Sequence, residues 1–257
     1  MKIPVIYAYP RSGGTLINRC LGSIPGNLVL SEVNPLAAVS PVVYQAQHWL
    51  NLLTQHQVDD FVRKPYGQQI KCLADISQTL DYHLIIRDWT GVNFIDNPIG
   101  DNVLTPSFLL EQAIYLSHYG LTPLPLVITR RVADVYESIT RTFQHLQCSV
   151  QHFGEIYLKY AQAICEYPIF HYEQICEDPL TQINSICEIL KINYDPTFIK
   201  RFHHFDRCTG DNRLKQSSKG GQLTEIKSLP SNIDSESYIA ASVDQNCLRA
   251  DKLLGYE

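Results

Sequence analysis

The sequence predicts an α/β domain in three layers: a parallel sheet of about five strands flanked by helices. Three observations predict it. Five short apolar runs, near residues 3–9, 28–30, 82–86, 124–129 and 168–172, alternate with stretches of helical apolar spacing. That alternation calls for parallel strands joined by crossover helices. A glycine-bearing turn, Arg11-Ser12-Gly13-Gly14-Thr15, links the first run directly to the first helical stretch. Finally, 257 residues with 45% hydrophobic and 18% charged content suit one large soluble core. No internal repeat or break in composition divides the chain, so residues 1–257 are expected to form a single domain.

The first run carries the β-branched Ile3, Val5 and Ile6 and stops at Tyr9-Pro10, and Leu16, Ile17, Cys20 and Leu21 then follow at helical spacing. Leu28-Val29-Leu30 predicts a buried strand that delivers Ser31 and Glu32 at its carboxyl end. Residues 37–63, with Val39, Val43, Trp49, Leu52, Leu53 and Phe61 among polar residues, suggest helices. Tyr82 to Ile86 predicts a strand delivering Arg87, Asp88 and Trp89, and the Gly- and Pro-punctuated 91–106 a loop over the site. A helix is expected from Ser107, as cap, to Tyr119. Leu124 to Thr129 predicts the fourth strand, Val132 to Phe143 and 149–166 two helices, and Pro168 to Tyr172 a fifth strand. Asp178-Pro179 opens a helix over Leu180 to Leu190. The polar, Gly- and Ser-rich 208–237 reads as a lid or a partly disordered loop, and Tyr238 to Leu254 as a terminal helix.

Composition narrows the function. A formal net charge of −5 offers no broad basic face, which disfavours nucleic-acid binding. The apolar IPVIYAY is too short for a signal segment, and no stretch reaches the roughly 18 apolar residues of a membrane span. A soluble, cytoplasmic protein is expected. The eight cysteines form no C-x-x-C pair, which predicts buried reduced thiols and no zinc site, and the nine histidines lack metal-ligand spacing. His203-His204 reads as a helix face.

The turn at Arg11–Thr15 has a chemistry of its own. Two glycines let successive N–H groups point inward, and the following helix N-terminus adds partial positive charge. Ser12 and Thr15 add hydroxyls, and Arg11 a permanent cation. Such a turn suits a phosphate or similar oxyanion. It is not the nucleoside-triphosphatase loop, G-x-x-x-x-G-K-S/T, because no lysine follows Gly14. A second cluster lies at the fourth strand's end: Arg130, Asp134 and Ser138, spaced so that arginine and serine can grip one phosphate, with Arg141 a turn further on. At the second and third strand ends stand Glu32, either a proton acceptor or an ion-pair partner, and the cation Arg87. Asp88 is expected to orient Arg87 or a neighbour, and Trp89 to be either core or a stacking surface.

Pro10-Arg11-Ser12-Gly13-Gly14-Thr15 after an N-terminal strand resembles the 5′-phosphosulfate loop of sulfotransferases that use 3′-phosphoadenosine 5′-phosphosulfate (PAPS), commonly PRSGTTL or PKSGTTW. Arg130, Asp134 and Ser138 match that family's 3′-phosphate segment R-x-P-x-D-x-x-x-S, with Val132 in place of proline. Ser31-Glu32 resembles the G-E pair of the protein-tyrosine branch, whose glutamate is the base, and Arg87-Asp88 its K-D segment, with arginine for lysine. His171-Tyr172-Glu173-Gln174 resembles a segment whose tyrosine lies near the adenine, although Tyr172 suits simple packing as well. Lys219-Gly220 loosely resembles the R-K-G closure over the donor. The resemblance spans about residues 3–190. It implies a P-loop-like sulfotransferase fold with PAPS on Arg11, Ser12, Gly13, Gly14, Thr15, Arg130, Ser138 and Tyr172. It also implies transfer to a hydroxyl by Glu32, Arg11 and Arg87 without a metal. Two alternatives stay open: an ATP-dependent kinase, and a nucleotide-binding module without turnover. The acceptor, shaped by 36–80 and 91–106, can be a sugar, a peptide or a small alcohol, and the oligomeric state is unreadable.

Overall fold

A computed structural model describes residues 1–96, 105–143, 147–210 and 225–257. Its five strands are β1 (Lys2–Ala8), β2 (Asn27–Val33), β3 (His83–Asp88), β4 (Thr122–Thr129) and β5 (Ile169–His171). All pair in parallel, in the order β2-β3-β1-β4-β5. β1 is central, and Ile3 through Tyr7 are buried in succession. A strand covered on both faces needs an unbroken apolar run rather than alternation.

The helices are α1 (Gly14–Gly22), α2 (Val42–Tyr44), α3 (Gln55–Val62), α4 (Tyr66–Thr79), α5 (Gly91–Phe94) and α6 (Glu111–His118). They continue with α7 (Val132–Thr142), α8 (Val150–Ile164), α9 (Tyr172–Glu177), α10 (Pro179–Leu190), α11 (Glu236–Val243) and α12 (Gln245–Leu253). On one face of the sheet Val5, Tyr7, Leu30 and Ile86 pack with residues of α4, α6, α8 and α12, among them Leu73, Leu116, Tyr157 and Ala250. On the other, Ile6, Val29, Ile85, Leu126 and Ile128 pack with Ile17 and Leu21 of α1 and Ile183 and Ile186 of α10. The three-layer parallel architecture is therefore the one the alternation predicts.

Pro123 and Pro125 stand inside β4, where a missing N–H would break a ladder. β5 meets β4 only from Val127 onward, so the prolines fall where β4 is still an edge.

Several boundaries differ from expectation. Beyond the helices expected over 37–63, the 14-residue α4 buries Ile70, Leu73 and Ala74. A short π-helical turn, Gln45–Trp49, continues α2. Gly91–Phe94 forms one helical turn within the expected loop, whose residues 97–104 lie outside the described ones. α6 begins at Glu111 after Leu110, not at Ser107: the Ser107 hydroxyl accepts the Leu109 N–H at 3.3 Å and Phe108 takes φ 55°, so the chain turns before the helix starts. The terminal helix is two helices. Asp244 leaves helical geometry, and its carboxylate accepts the N–H groups of Asn246 and Cys247, both at 3.0 Å, so a new N-terminus begins there. His203 and His204 sit in a 3₁₀ turn with rings 3.9 Å apart. Among the described residues no helix is long and apolar enough to cross a membrane.

Candidate functional site

The chain enters the sheet at its centre, goes to the edge at β2, returns to β3 beside β1, then crosses to β4 and β5 on the other side. The crevice at such a reversal, at the carboxyl ends of the strands, is where open α/β sheets bind ligands. Both anion-binding clusters read from the sequence follow strands that flank it, β1 and β4.

After β1 the turn is tight. The Ser12 N–H donates to the Tyr9 carbonyl at 3.1 Å, and both Arg11 and Gly13 adopt left-handed backbone, φ 75° and 94°. Glycine at position 13 also answers to a neighbour. A Cβ there would stand 2.5 Å from the Tyr172 ring, and one at Gly14 would stand 3.2 Å from Nε of Arg87. The bare backbone lets Tyr172 and Arg87 close on the turn from two sides. Ser12 is different from its neighbours: its side chain is fully buried beside the Tyr157 hydroxyl in the core. Thr15 lies against Gly210, where an added Cβ would come within 2.2 Å of its Oγ1.

Arg87 projects from the end of β3 onto the α1 side of the sheet and is 3% exposed. It forms an ion pair with Glu32, and its Nη1 donates to Asn18, Ser31 and the Thr209 carbonyl at 3.3–3.4 Å. Successive strand residues face opposite ways. Asp88 therefore points to the other face, where its Oδ1 accepts from Asn34 Nδ2 at 2.9 Å, and it does not orient Arg87. Burial raises the Asp88 carboxyl to about 7, against the hydrogen bonds of Thr90 and Asn34. Alternation alone would send Glu32 to that far face as well. Instead the β2–β3 register shifts between Ser31 and Val33, and Glu32 takes φ 51°. This bulge turns the carboxylate towards Arg87.

The second cluster meets the first. Arg11 Nε donates to the Ser138 hydroxyl at 2.8 Å. The Arg130 guanidinium lies 5.1 Å from the centre of the Tyr172 ring, the ring that faces Gly13, and its Nη2 reaches Asp134 at 3.3 Å. Arg130 and the Gly13-Gly14 turn thus meet at one ring. Burial pushes the Tyr172 phenol up to about 12, so it stays a neutral surface, and burial raises the Asp134 carboxyl against the pull of Arg130. Arg141 turns to Glu137, 2.9 Å away. Trp89 follows β3, on the opposite side of β1 from Tyr172.

Part of the expected lid also touches the site. The Ser31 and Thr209 hydroxyls lie 2.9 Å apart, the Leu229 N–H donates to the Tyr172 hydroxyl at 3.2 Å, and Ser231 donates to Asp134 at 3.0 Å. Nothing in the sequence of this polar stretch marks those residues. Lys215, Ser217, Ser218, Lys219, Gly220 and Gly221 lie outside the described residues. Among the described residues no group of His, Cys, Asp or Glu is arranged to hold a metal ion.

No family model matches the chain, and no curated protein matches it in sequence. Solved structures do. The chain is similar to the sulfotransferase domain of the olefin synthase of Synechococcus PCC 7002, at TM-score 0.64 and 17% identity, covering 100% of this chain and 95% of that one. It is similar also to the sulfotransferase domain from the curacin biosynthetic pathway, at TM-score 0.60 and 15% identity, covering 100% and 98%. The fold is that of sulfotransferase domains.

Proposed function

We propose that the chain is a sulfotransferase that moves a sulfuryl group from PAPS to a hydroxyl acceptor. The observation that carries this reading is the junction of the two clamps, the Arg11 Nε to Ser138 Oγ bond at 2.8 Å. A donor with phosphoryl groups at both the 5′ and 3′ positions needs two cationic clamps at one crevice, with an aromatic wall between them for the base. Arg11 to Thr15, Arg130 with Ser138, and Tyr172 supply these. The likeness to sulfotransferase domains supports the same reading.

In this mechanism the 5′-phosphosulfate rests on the Gly13-Gly14 turn and the α1 N-terminus. The acceptor oxygen attacks sulfur in line as the bond from sulfur to the bridging oxygen breaks. Glu32, paired with Arg87 through Oε1, takes the acceptor's proton. Arg87 and Arg11 hold the charge growing on the sulfonate and the departing oxygen. The products are a sulfate ester and 3′-phosphoadenosine 5′-phosphate.

The Glu32–Arg87 ion pair is also what a nucleotide-binding module without turnover would keep. Titration calorimetry with 3′-phosphoadenosine 5′-phosphate and with ATP, followed by a labelled-PAPS transfer assay over sugars, phenols and alkyl alcohols, tests the proposal. Saturable binding of the 3′-phosphorylated nucleotide, preferred over ATP, with transfer to one acceptor class, is expected. Preference for ATP would overturn it in favour of a kinase. Preference for the 3′-phosphorylated nucleotide with no transfer to any acceptor would leave the binding module.

A further inference from the structure

The corner between β4 and α7 carries Arg130, and α7 carries Asp134 and Ser138, so the grip on a 3′-phosphate depends on how that helix begins. Its first residue, Val132, has a backbone N–H beyond the reach of the intrahelical ladder. Arg131, preceding it, offers no side-chain cap. The acceptor comes instead from α12, where Asp251 Oδ1 takes the Val132 N–H at 3.0 Å.

The surrounding contacts make this a joint between two corners. The Arg131 N–H donates to Glu173 Oε1 at 3.3 Å, its Nη1 donates to the Glu257 carbonyl at 3.1 Å, and its guanidinium lies 5.4 Å from the Tyr256 ring centre. Tyr256 donates to Glu173 Oε2 at 3.0 Å, and its ring lies 4.2 Å from that of His171, which meets the Leu254 carbonyl at 2.8 Å. Residues 251–257 therefore tie the β4–α7 corner to the β5–α9 corner. Arg130 comes from the first and Tyr172 from the second, and the two stack on one another.

Resting on the sulfotransferase reading, we propose that Asp251 is a positioning residue for the 3′-phosphate of the nucleotide. It holds the first turn of α7 through the Val132 amide and so sets Arg130 and Ser138 without touching the ligand. The chain offers a suppressor for the test. Arg131 already has φ −46° and ψ 132°, the geometry a residue takes before proline, and Val132 holds the first helical position, where proline is accommodated. Val132→Pro together with Asp251→Ala removes donor and acceptor at once and leaves neither unpaired.

The experiment measures dissociation constants for 3′-phosphoadenosine 5′-phosphate and for adenosine 5′-monophosphate on wild type, Asp251→Ala, Asp251→Asn and the double variant. Asp251→Ala is expected to weaken the 3′-phosphorylated nucleotide roughly fivefold to tenfold, the scale of a lost cap, and to leave the monophosphate unchanged. Asp251→Asn, which keeps an acceptor oxygen, and the double variant are expected within about twofold of wild type on that scale. Equal weakening of both nucleotides, no weakening, or failure of the double variant to recover overturns the inference. If Asp251→Ala does not fold, the double variant and Asp251→Asn decide it by the same comparison. A wild type without preference for the 3′-phosphorylated nucleotide instead rejects the sulfotransferase reading itself.

Discussion

Glu32 reaches the cleft because β2 holds one residue more than its partner strand needs, and Arg87 reaches it because β3 ends one residue later, at Asp88. Each side chain is placed by strand register rather than by flexible loop. Arg87→Ala is expected to lower the sulfuryl-transfer rate by ~10²–10³, as loss of one preorganised donor does, measured as kcat with saturating acceptor. Under the proposed mechanism, Glu32→Gln keeps the side chain's size and is expected to abolish transfer while nucleotide affinity holds. Unchanged turnover would return Glu32 to a purely structural pair. The carboxylate and the arginine are both visible in the sequence as strand-end residues. The bulge is not, because a left-handed glutamate carries no signature, and so the sequence could not tell which face Glu32 takes. The face of Asp88, by contrast, was legible from alternation, and of its two expected partners, Arg87 or a neighbour, alternation excludes Arg87. Asp88 makes a separate prediction. Its native carboxyl is raised to about 7 by burial, while an unfolded aspartate titrates near ~3.9. The native state therefore binds the extra proton between these values, and stability falls as pH rises through that window and levels off above it. Asp88→Asn should remove this slope, so that urea midpoints of variant and wild type diverge from pH 4 to 7. A constant difference across that range would contradict the assignment.

At the scale of elements, the strand–turn–helix of β1 and α1 was legible because its apolar run, its glycines and its helical spacing all agree. The π-helical continuation of α2 and the split between α11 and α12 were not. In both, apolar spacing runs on while the backbone departs locally, and for the split the cause is the Asp244 cap, a local signal that the continuing apolar spacing masks. α8 shows how close that packing is. A Cβ at Gly154 would stand 2.5 Å from Asp244 Oδ1, the oxygen that caps α12. Gly→Ala inside a helix usually gains about 1 kcal/mol, but overpacking against a fixed cap costs roughly 1–3 kcal/mol. The second effect wins here. Gly154→Ala is expected to lower the melting temperature by several degrees, followed by circular dichroism, and a rise would mean that Asp244 yields without loss.

Across the whole molecule, the ligand is expected to act as a fastener between the two halves of the sheet. 3′-Phosphoadenosine 5′-phosphate at 100 times its dissociation constant adds about 2.7 kcal/mol to stability. For a chain of this size that is a rise of roughly 5–10 °C, read by differential scanning fluorimetry, and adenosine without phosphate should give almost none. The overall architecture was legible because the alternation of strand and helix runs the length of the chain, whereas the strand order was not. The contact of residues 208–210 and 229–232 with Ser31, Tyr172 and Asp134 was not either, since those residues carry no motif and owe their places to hydroxyl and amide contacts far apart in sequence.

The central place of β1 has a consequence in time. The register that flanks it joins Val5 to Ile86 and Lys2 to Thr122, so β1 must wait for much later residues on either side. Pairings across such separations form slowly, and until they form β1 offers two open edges to any other extended chain. The Gly13-Gly14 turn at its end, made before both partner strands, is thus late to reach its final setting. A nascent chain stopped before Thr122 would hold that turn on a strand with one flank bare.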